Sequence, residues 1–483
     1  MLGPGLDLRK IVAILCTPVF YCFIYCEFEN PKILSLYEED NMIYRKQILD
    51  RVALLAMLIG LLLARQVWAQ NEAGGSPRPE TASTSRPWHQ LGMMADPIMD
   101  QVLLFYLSEA WAGLTDVGEV LETSSRVRAE DPASWSREWL KTAERVRATA
   151  EQSEKAGHRR SAGQAYLRAS SYYRAALHRH PEPTDPEVRR MTEKEVAAYT
   201  AAIRLLSLPA RQVSIPYEGT TLPAYFFRSP AATKKAPLLI VHQGRDAWSE
   251  DCTHVALEAN QRGWHCLLVD GPGMGKTIRL QGLAFRADWE KVITPVVDFA
   301  LKQPGVDPAR VALMGISMGG ELAPRAAAFE KRLKLLIANP GVYDWGRNYT
   351  DFLAAFDPNL ISLLEKDPEA FNQRIAQVSA QNALVAWGFK DSLWRHGVTT
   401  PAKLMAEVKK FTLKGLAEKI SAKTLVIDGE GEEYGQAREL FDALKCPKDY
   451  LLFTTEEAAQ LHVQTGSLAV QTHRVFNWLE DNL

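Results

Sequence analysis

From about residue 209 to the C-terminus, short apolar runs alternate with segments of helical periodicity. The runs are continuously apolar, as in APLLIVHQG, WHCLLVD and LKLLIANPG. Such strands are buried on both faces, which is the environment that a parallel sheet between two layers of helices provides. Two shorter strands around a Glu-Gly turn, in QVSIPYEGTTLPAYFF, come first. The pattern predicts an α/β domain with a mostly parallel sheet over residues 209–483.

Residues 96–208 are helical throughout. Asp96 followed by Pro97 is typical of a helix start, and three more helices are predicted near residues 134–156, 165–177 and 187–206. The third carries aromatic and small residues at i, i+3, i+4 spacing, which predicts packing inside a bundle. Part of this aromatic stripe would line a pocket if the bundle covers a site. A non-catalytic binding protein built on helical repeats is the alternative, although no period recurs along the chain.

Residues 1–69 have the features of a targeting region. An apolar run at 52–64 follows basic residues and precedes small residues at a cleavage point before Gln70, which is the order in a secretory signal peptide. The run of about 13 residues is short for a membrane span. We predict a signal peptide at about 42–69 and an exported, periplasmic or extracellular protein. Residues 1–41 are either an upstream artefact or a membrane anchor, whose retention would place the protein on a membrane. Residues 70–95 are predicted to be a linker.

The stretch DGPGMGKT, residues 270–277, resembles a phosphate-binding loop at first sight. A P-loop needs glycine five positions before its Gly-Lys-Thr, and that position holds Asp270. We therefore predict no bound nucleotide. The net charge of −2 gives no general attraction to nucleic acid, and His and Cys show no usual metal-ligand spacing. No metal or organic cofactor is predicted.

The segment GISMGG, residues 315–320, lies between an apolar strand and the next helix. It is a G-x-S-x-G pattern in the strand–turn–helix context that presents a serine on a sharp turn. The residues two before and two after the serine are crowded, which favours Gly315 and Gly319. The helix N-terminus also favours negative charge nearby. We predict that Ser317 is a nucleophile; the alternative is a plain glycine-rich turn.

A nucleophilic serine needs a base and a carboxylate that orients it. His462 follows the last predicted strand, whereas its nearest rival, His473, lies within the C-terminal helix. The loop VIDGEGEEYG after the penultimate strand offers several acids, of which we favour Glu432, three residues after the turn glycine Gly429. The alternative acids are Glu433, Glu430 and Asp344.

Backbone N–H groups are expected to bind the developing oxyanion. One is that of Met318, next to the serine. The second is expected from the loop after the strand LLIVHQGRD, near Gln243 or Gly244. In the same loop, Arg245 and Asp246 form either an ion pair or contacts to substrate.

These motifs, in this order and spacing over about residues 210–483, resemble those of the α/β-hydrolase superfamily. In that superfamily the fourth strand commonly ends in Asp-x-x-Gly-x-Gly, which matches residues 270–275. The helical domain, NPGVYDW and FTTEEAAQLH are similar to the subgroup of 2,6-dihydropseudooxynicotine hydrolase, the fermentation–respiration switch proteins and fungal pigment polyketide-shortening hydrolases. The resemblance implies an α/β-hydrolase fold with an N-terminal all-helical cap. Two departures are Glu at the acid position instead of the commoner Asp, and Val463 where relatives often have Cys.

The residues and the resemblance together predict a serine hydrolase that cleaves a carboxylic ester or related acyl bond through a Ser-His-Glu triad and an acyl-enzyme. Some members of the subgroup cleave carbon–carbon bonds beside a ketone, so a C–C hydrolase for a β-diketone-like or polyketide-like substrate is the alternative. An apolar cap would exclude water and favour a hydrophobic or aromatic acyl group. The predicted partner is a small-molecule substrate, and a homodimer is left open.

Overall fold

The computed structural model describes residues 87–483, apart from positions 130 and 233. This part of the chain falls within the second of two compact units, residues 86–483. The predicted signal peptide, the segment 1–41 and most of the predicted linker lie outside the described residues. Within the described part, no helix is both long enough and apolar enough to cross a membrane.

The helical region before the sheet packs around buried aromatic side chains. Asp96 caps the first helix by accepting bonds from the N–H groups of Ile98 and Met99, as expected for Asp-Pro at a helix start. Tyr172 and Tyr173 of the aromatic stripe are fully buried, so most of that stripe is packing. The described helices here are α1 (Pro97–Ser108), α2 (Val117–Ser124), α3 (Ser134–Lys155), α4 (Arg159–His178) and α5 (Pro186–Leu206).

An eight-stranded sheet follows, in the order β1-β2-β4-β3-β5-β6-β7-β8. Strands β1 and β2 form a hairpin, β2 pairs antiparallel with β4, and all other pairs are parallel. The order reverses at β3, so the ends of β3 and β5 meet at the centre of the carboxyl edge, where α/β sheets bind ligands. The strands are β1 (Ala210–Tyr217), β2 (Thr220–Phe227), β3 (Ala236–His242), β4 (His265–Val269), β5 (Val306–Ile316), β6 (Leu335–Asn339), β7 (Lys423–Gly429) and β8 (Lys448–Phe453).

Helices cover both faces of the sheet. One face shares a continuous apolar core with the helical cap and with α6 (Thr253–Gln261) and α15 (Leu468–Asn482). The opposite face packs on α7 (Glu290–Leu301), α8 (Gly319–Ala327) and α14 (Ala437–Ala443). The mostly parallel sheet between helices and the N-terminal helical region confirm the predicted fold.

Between β6 and β7 the chain forms a helical insert. Its small apolar core, which includes Leu353 and Phe371, is separate from the two main cores. The insert thus has packing of its own beside the sheet edge. Its helices are α9 (Trp345–Phe356), α10 (Asn359–Lys366), α11 (Pro368–Gln381), α12 (Ala383–Arg395) and α13 (Pro401–Val408).

A buried arginine of the cap bonds to a second cap helix and to the sheet edge. Arg174 of α4 bonds to Glu195 of α5, with 2.8 Å between Nη1 and Oε1, and to Asp251, which follows β3. All three side chains are buried. Because removing one partner of such a pair typically costs about 3–5 kcal/mol, the cap and the sheet are strongly linked here.

The lysine of the glycine-rich loop belongs to the same buried region. Lys276 Nζ lies 2.8 Å from Asp270 Oδ2 and 2.5 Å from Glu250 Oε1. Its ammonium is buried and shared by two carboxylates. The loop therefore uses its lysine to hold the turn after β4 against the residues that follow β3.

Glu321, in the first turn of α8, is a buried carboxyl group without a partner. Its side chain is fully buried, and neither carboxyl oxygen has a hydrogen-bond partner among the described residues. Burial raises its pKa to about 8. The group is therefore neutral in the folded protein at pH 7.

This raised pKa makes stability dependent on pH. In the unfolded chain Glu321 ionises near pH 4.3. Keeping the group neutral therefore costs no folding stability below that pH, and the protein loses stability as pH rises from there towards 8. Replacing Glu321 with Gln is expected to remove this loss. Between pH 4.5 and pH 8.5, wild type should lose about 4 kcal/mol of unfolding free energy that the variant keeps.

The measurement is urea unfolding at both pH values, with the exposed Glu365→Gln as the control. Parallel pH dependence in wild type and Glu321→Gln would contradict a neutral buried carboxyl group.

Candidate active site

Ser317 occupies a sharp turn between β5 and α8, with a positive φ of 61°. A side chain added at Gly315 would place its Cβ 1.9 Å from the carbonyl oxygen of Gly319, as the crowding argument requires. At Gly319 the nearest atom would instead be the carbonyl oxygen of Gln243, 3.0 Å away. The turn is held by the Ser317 N–H, which donates to the Asn339 carbonyl at 2.7 Å. The backbone thus keeps the serine in an unfavourable conformation that exposes its hydroxyl.

Three side chains form a continuous hydrogen-bonded row. His462 Nε2 lies 3.0 Å from Ser317 Oγ, and its Nδ1 lies 2.9 Å from Glu432 Oε1 and 3.1 Å from Oε2. The Glu432 side chain is 2% exposed and that of His462 is 17% exposed. A histidine bonded to a carboxylate through Nδ1 carries its proton there, which leaves Nε2 free to accept a proton from serine.

The other predicted acids have different surroundings. Glu433 lies on the wall of the neighbouring cavity. Glu430 is exposed and accepts a bond from the Thr455 N–H at 2.6 Å. Asp344 caps α9 by accepting from the Arg347 N–H at 3.0 Å. None of the three bonds to His462, so among the predicted acids the geometry selects Glu432.

Both loops that carry the row are anchored. The Gly431 N–H donates to the Gln460 carbonyl at 2.9 Å, which ties the acid loop to the segment before His462. His462 starts a short helical turn that includes Val463 at a φ of 50°. Asn339 Nδ2, at the end of β6, donates to Gln464 Oε1 at 2.9 Å. The histidine is therefore fixed relative to the strand beside the serine.

The pKa of His462 depends on two opposing effects. Burial disfavours the charged imidazolium, but the Glu432 carboxylate stabilises it more strongly, so the pKa of His462 is raised above its usual range. A raised pKa makes the imidazole a stronger base while it is neutral.

The candidate oxyanion groups come from two segments in contact. Met318 precedes the first residue of α8. A Cβ at Gly244 would lie 2.5 Å from the Met318 nitrogen and 2.9 Å from that of Gly319, so only glycine allows this approach. Gln243 is buried, and its side-chain Nε2 donates to Cys252 Sγ at 2.9 Å. The loop after β3 thus passes directly beside the amide of Met318.

A cavity of about 600 Å³ opens at Ser317 and His462. Its wall is mainly apolar and combines α1 of the cap with α9 and α12 of the insert. Ile98, Phe352 and Phe356 line it and are each about half exposed, which places them at its mouth. Deeper apolar lining residues include Val102, Phe105, Trp345, Leu384 and Trp387.

The polar part of the cavity wall contains Arg245 and Asp246. Arg245 bonds to Asp246 at 3.0 Å and to Asp391 of the insert at 2.6 Å. The predicted loop ion pair is therefore formed, and both of its members also line the cavity. His178, in the same wall, has its pKa lowered to about 4 by burial, so it is neutral at pH 7.

Sequence reasoning did not predict that Tyr434 and the insert contribute to the candidate site. The Tyr434 ring lies 4.7 Å from the His462 ring, edge to face. The backbone N–H of Tyr434 donates to Glu432 Oε1 at 3.2 Å. Tyr434 therefore supports both the base and the acid. The position of Tyr434, two residues after Glu432, was the one available signal. For the insert, the aromatic residues of α9 and α12 were a signal, but one that core packing explains equally well.

Comparison with known proteins agrees with this architecture. Residues 238–465 match a model of the alpha/beta hydrolase family, and residues 117–342 match a model described as esterase FrsA-like. The hydrolase LUC6 of a Fusarium species is 32% identical over 391 residues, covering 76% of this chain and 92% of that protein. The 20-hydroxy-prefusarin hydrolase FUS2 of Gibberella moniliformis is 31% identical, covering 76% and 91%.

Solved structures share the fold. The crystal structure of the 2,6-dihydroxy-pseudo-oxynicotine hydrolase superposes with a TM-score of 0.61 at 19% identity, covering 78% of this chain and 95% of that one. Wild-type AbyA5 gives a TM-score of 0.55 at 16% identity, covering 80% and 94%.

An eight-stranded, mostly parallel sheet with a serine on the turn after β5 defines the α/β-hydrolase class. The chain belongs to the α/β-hydrolase family, and it is an enzyme.

Proposed function

We propose that this protein is a serine hydrolase that cleaves a carboxylic ester or related acyl bond of a small molecule through an acyl-enzyme. The observation that carries the proposal is the row of hydrogen bonds from Ser317 through His462 to Glu432, which opens onto an apolar cavity. Nucleophilic catalysis needs a serine bonded to a base and a carboxylate that orients this base.

In the proposed acylation step, Ser317 Oγ attacks the carbonyl carbon of the substrate while His462 Nε2 takes the hydroxyl proton. The Glu432 carboxylate stabilises the imidazolium, and the N–H groups of Met318 and Gly244 bind the oxyanion. Loss of one such donor typically costs about 3–4 kcal/mol of transition-state stabilisation. The tetrahedral intermediate then breaks its bond to the leaving alcohol, which receives the proton from His462.

Deacylation repeats these steps with water. His462 takes a proton from a water molecule as the water attacks the acyl carbon. The bond to Ser317 Oγ breaks, and the serine regains its proton from His462. The products are a carboxylic acid and an alcohol, and the three side chains return to their starting state.

The cavity supports an apolar, partly aromatic substrate. Phe105, Trp345 and Trp387 form much of its wall, and such walls bury the body of a ligand while a few polar groups orient it. A relative is named 20-hydroxy-prefusarin hydrolase, and as part of the proposal we expect this enzyme to accept a compound of that kind.

C–C hydrolysis of a β-diketone-like or polyketide-like substrate is the second candidate. Attack by Ser317 on a ketone would break the C–C bond and release an enolate, whose carbon takes the proton that His462 gained from Ser317. Water would then hydrolyse the acyl-enzyme. The observation that favours this candidate is Glu433, an exposed carboxyl on the cavity wall beside the acid loop. Asp344, another of the predicted acids, is engaged at the start of α9. Assays of aryl esters against β-diketones would distinguish the two reactions.

Fluorophosphonate labelling of the purified protein tests the activated serine. We expect the probe to modify Ser317, identified by mass spectrometry of the labelled peptide. His462→Ala should lose the label, because the hydroxyl then lacks its base. His473→Ala, an exposed histidine in α15, is the matched control and should retain it. Labelling of another residue, or equal labelling in His462→Ala, would contradict the proposal.

A further inference from the structure

Arg179, at the end of α4, is a buried cation without a partner. Its side chain is 9% exposed and lines the cavity. Among the described residues it makes no hydrogen bond and no ion pair, and its Nε is buried without an acceptor. Its guanidinium stacks on Trp387 of α12, whose ring centre lies 4.0 Å from the guanidinium carbon.

The acids around Arg179 are all bonded to other groups. Arg245 and Arg395 share Asp391, at 2.6 and 2.8 Å, and Arg245 also holds Asp246 at 3.0 Å. These two carboxylates are therefore already engaged by two other guanidinium groups. Asp96, whose charge also acts on Arg179, accepts bonds from the N–H groups at the start of α1. Arg179 is thus left without a carboxylate bonded directly to it.

A buried charge without a partner is unfavourable unless a ligand of opposite charge pairs with it. Burial lowers the pKa of Arg179, yet a guanidinium stays protonated in proteins. Its planar donors match the two oxygens of a carboxylate better than a point charge does. An anionic ligand in the cavity would therefore supply the partner that the described chain does not.

The position of Arg179 is fixed by the contact between cap and insert. The Trp387 Nε1–H donates to the His180 carbonyl at 3.1 Å, which holds the indole under the guanidinium. Lys390, one helical turn further along α12, forms an ion pair with Glu182 of the cap. The guanidinium is thus oriented by both halves of the cavity wall.

We propose that Arg179 is a specificity-determining residue that binds a carboxylate group of the substrate. The inference rests on the proposed function, because it assigns the carboxylate to the molecule whose acyl bond Ser317 attacks in the same cavity. The substrate would then be a predominantly apolar acyl compound with a free carboxyl group away from the bond that is cleaved.

The test compares matched acidic and neutral substrates. The substrates are the mono-p-nitrophenyl esters of adipic, suberic and sebacic acids and their methyl esters, assayed with the full-length chain. For the chain length that reaches Arg179, wild type should prefer the free acid. Arg179→Gln should lower the ratio of kcat/KM for acid over methyl ester by roughly 10- to 100-fold. Arg179→Lys should retain part of the preference.

Arg160→Gln is the control, because Arg160 lies at the exposed start of the same helix; it should keep the wild-type ratio. Arg179→Gln should still fold, with only a small fall in melting temperature from the lost contact with Trp387, since no ion pair within the described chain is lost. An unchanged ratio in folded Arg179→Gln, together with full hydrolysis of the methyl esters, would overturn the inference and leave the serine hydrolase intact.

If no ester is hydrolysed and no label forms, the proposed function fails and binding decides the role of Arg179. The probe is then 4-phenylbutanoate against its amide, titrated calorimetrically into Ser317→Ala. Tighter binding of the carboxylate, lost on adding Arg179→Gln, supports the site. Equal binding of the two probes overturns it.

Discussion

Ser317→Ala is expected to lower kcat/KM for the best aryl ester by roughly 10⁴- to 10⁶-fold. Without the hydroxyl, no acyl-enzyme forms, and only substrate binding and the oxyanion N–H groups remain to accelerate attack by water. The steady-state rate of p-nitrophenol release measures the loss. Ser362→Ala, an exposed serine of α10, is the control and should behave as wild type.

The same prediction has a non-additive form. Because Ser317 and His462 act in one step, the double variant Ser317→Ala/His462→Ala should be about as slow as Ser317→Ala alone. Independent, multiplying losses would show that the two residues do not form a unit. A loss of only about tenfold in Ser317→Ala would place the reacting group elsewhere.

Glu432→Gln is expected to lower kcat/KM by roughly 10³- to 10⁴-fold and to change its pH dependence. In the proposed mechanism neutral His462 is the base, so the rate should rise as pH increases through the pKa of His462. In wild type the Glu432 carboxylate raises that pKa, so the rise should be centred above about pH 6.5. In the variant, burial remains without the carboxylate, and the centre should move to lower pH.

The measurement is kcat/KM from pH 5 to pH 9 for wild type, Glu432→Gln and Glu430→Gln. Glu430 is exposed on the same loop and bonds to the Thr455 N–H, so its variant should keep the wild-type pH profile. If the shift appears in Glu433→Gln and is missing in Glu432→Gln, Glu433 is the acid that orients the base.

The residues of the candidate site that could be predicted from the sequence are those that depend on local backbone geometry or on a place next to a strand. Ser317 was predictable because its sharp turn requires Gly315, which leaves a readable pattern. His462 was predictable from its place after the last strand. The acid loop was predictable as a segment, but choosing Glu432 over Glu433 depends on side-chain direction, and adjacent residues of one loop do not encode that direction in composition.

The remaining features depend on contacts between distant segments. Arg179 ends a helix, where a basic residue is ordinary because it complements the helix dipole. Its lack of a partner becomes visible only when Trp387, 208 positions later, is found beside it. The position of the insert beside Ser317 likewise depends on how the insert packs against the cap, through contacts such as that of Trp387 with His180.

The buried ion pair between the cap and the sheet edge divides the molecule into parts that differ in how freely they can change in evolution. Substitution of Arg174 or Asp251 leaves a charged group stranded in a dry interface, so this half of the wall is constrained as strongly as a protein core. The insert has a separate small core and supplies Phe352, Phe356 and Trp387 to the cavity. New substrate preferences in enzymes of this architecture are therefore expected to arise by repacking the insert, while the cap helices hold the opposite wall constant.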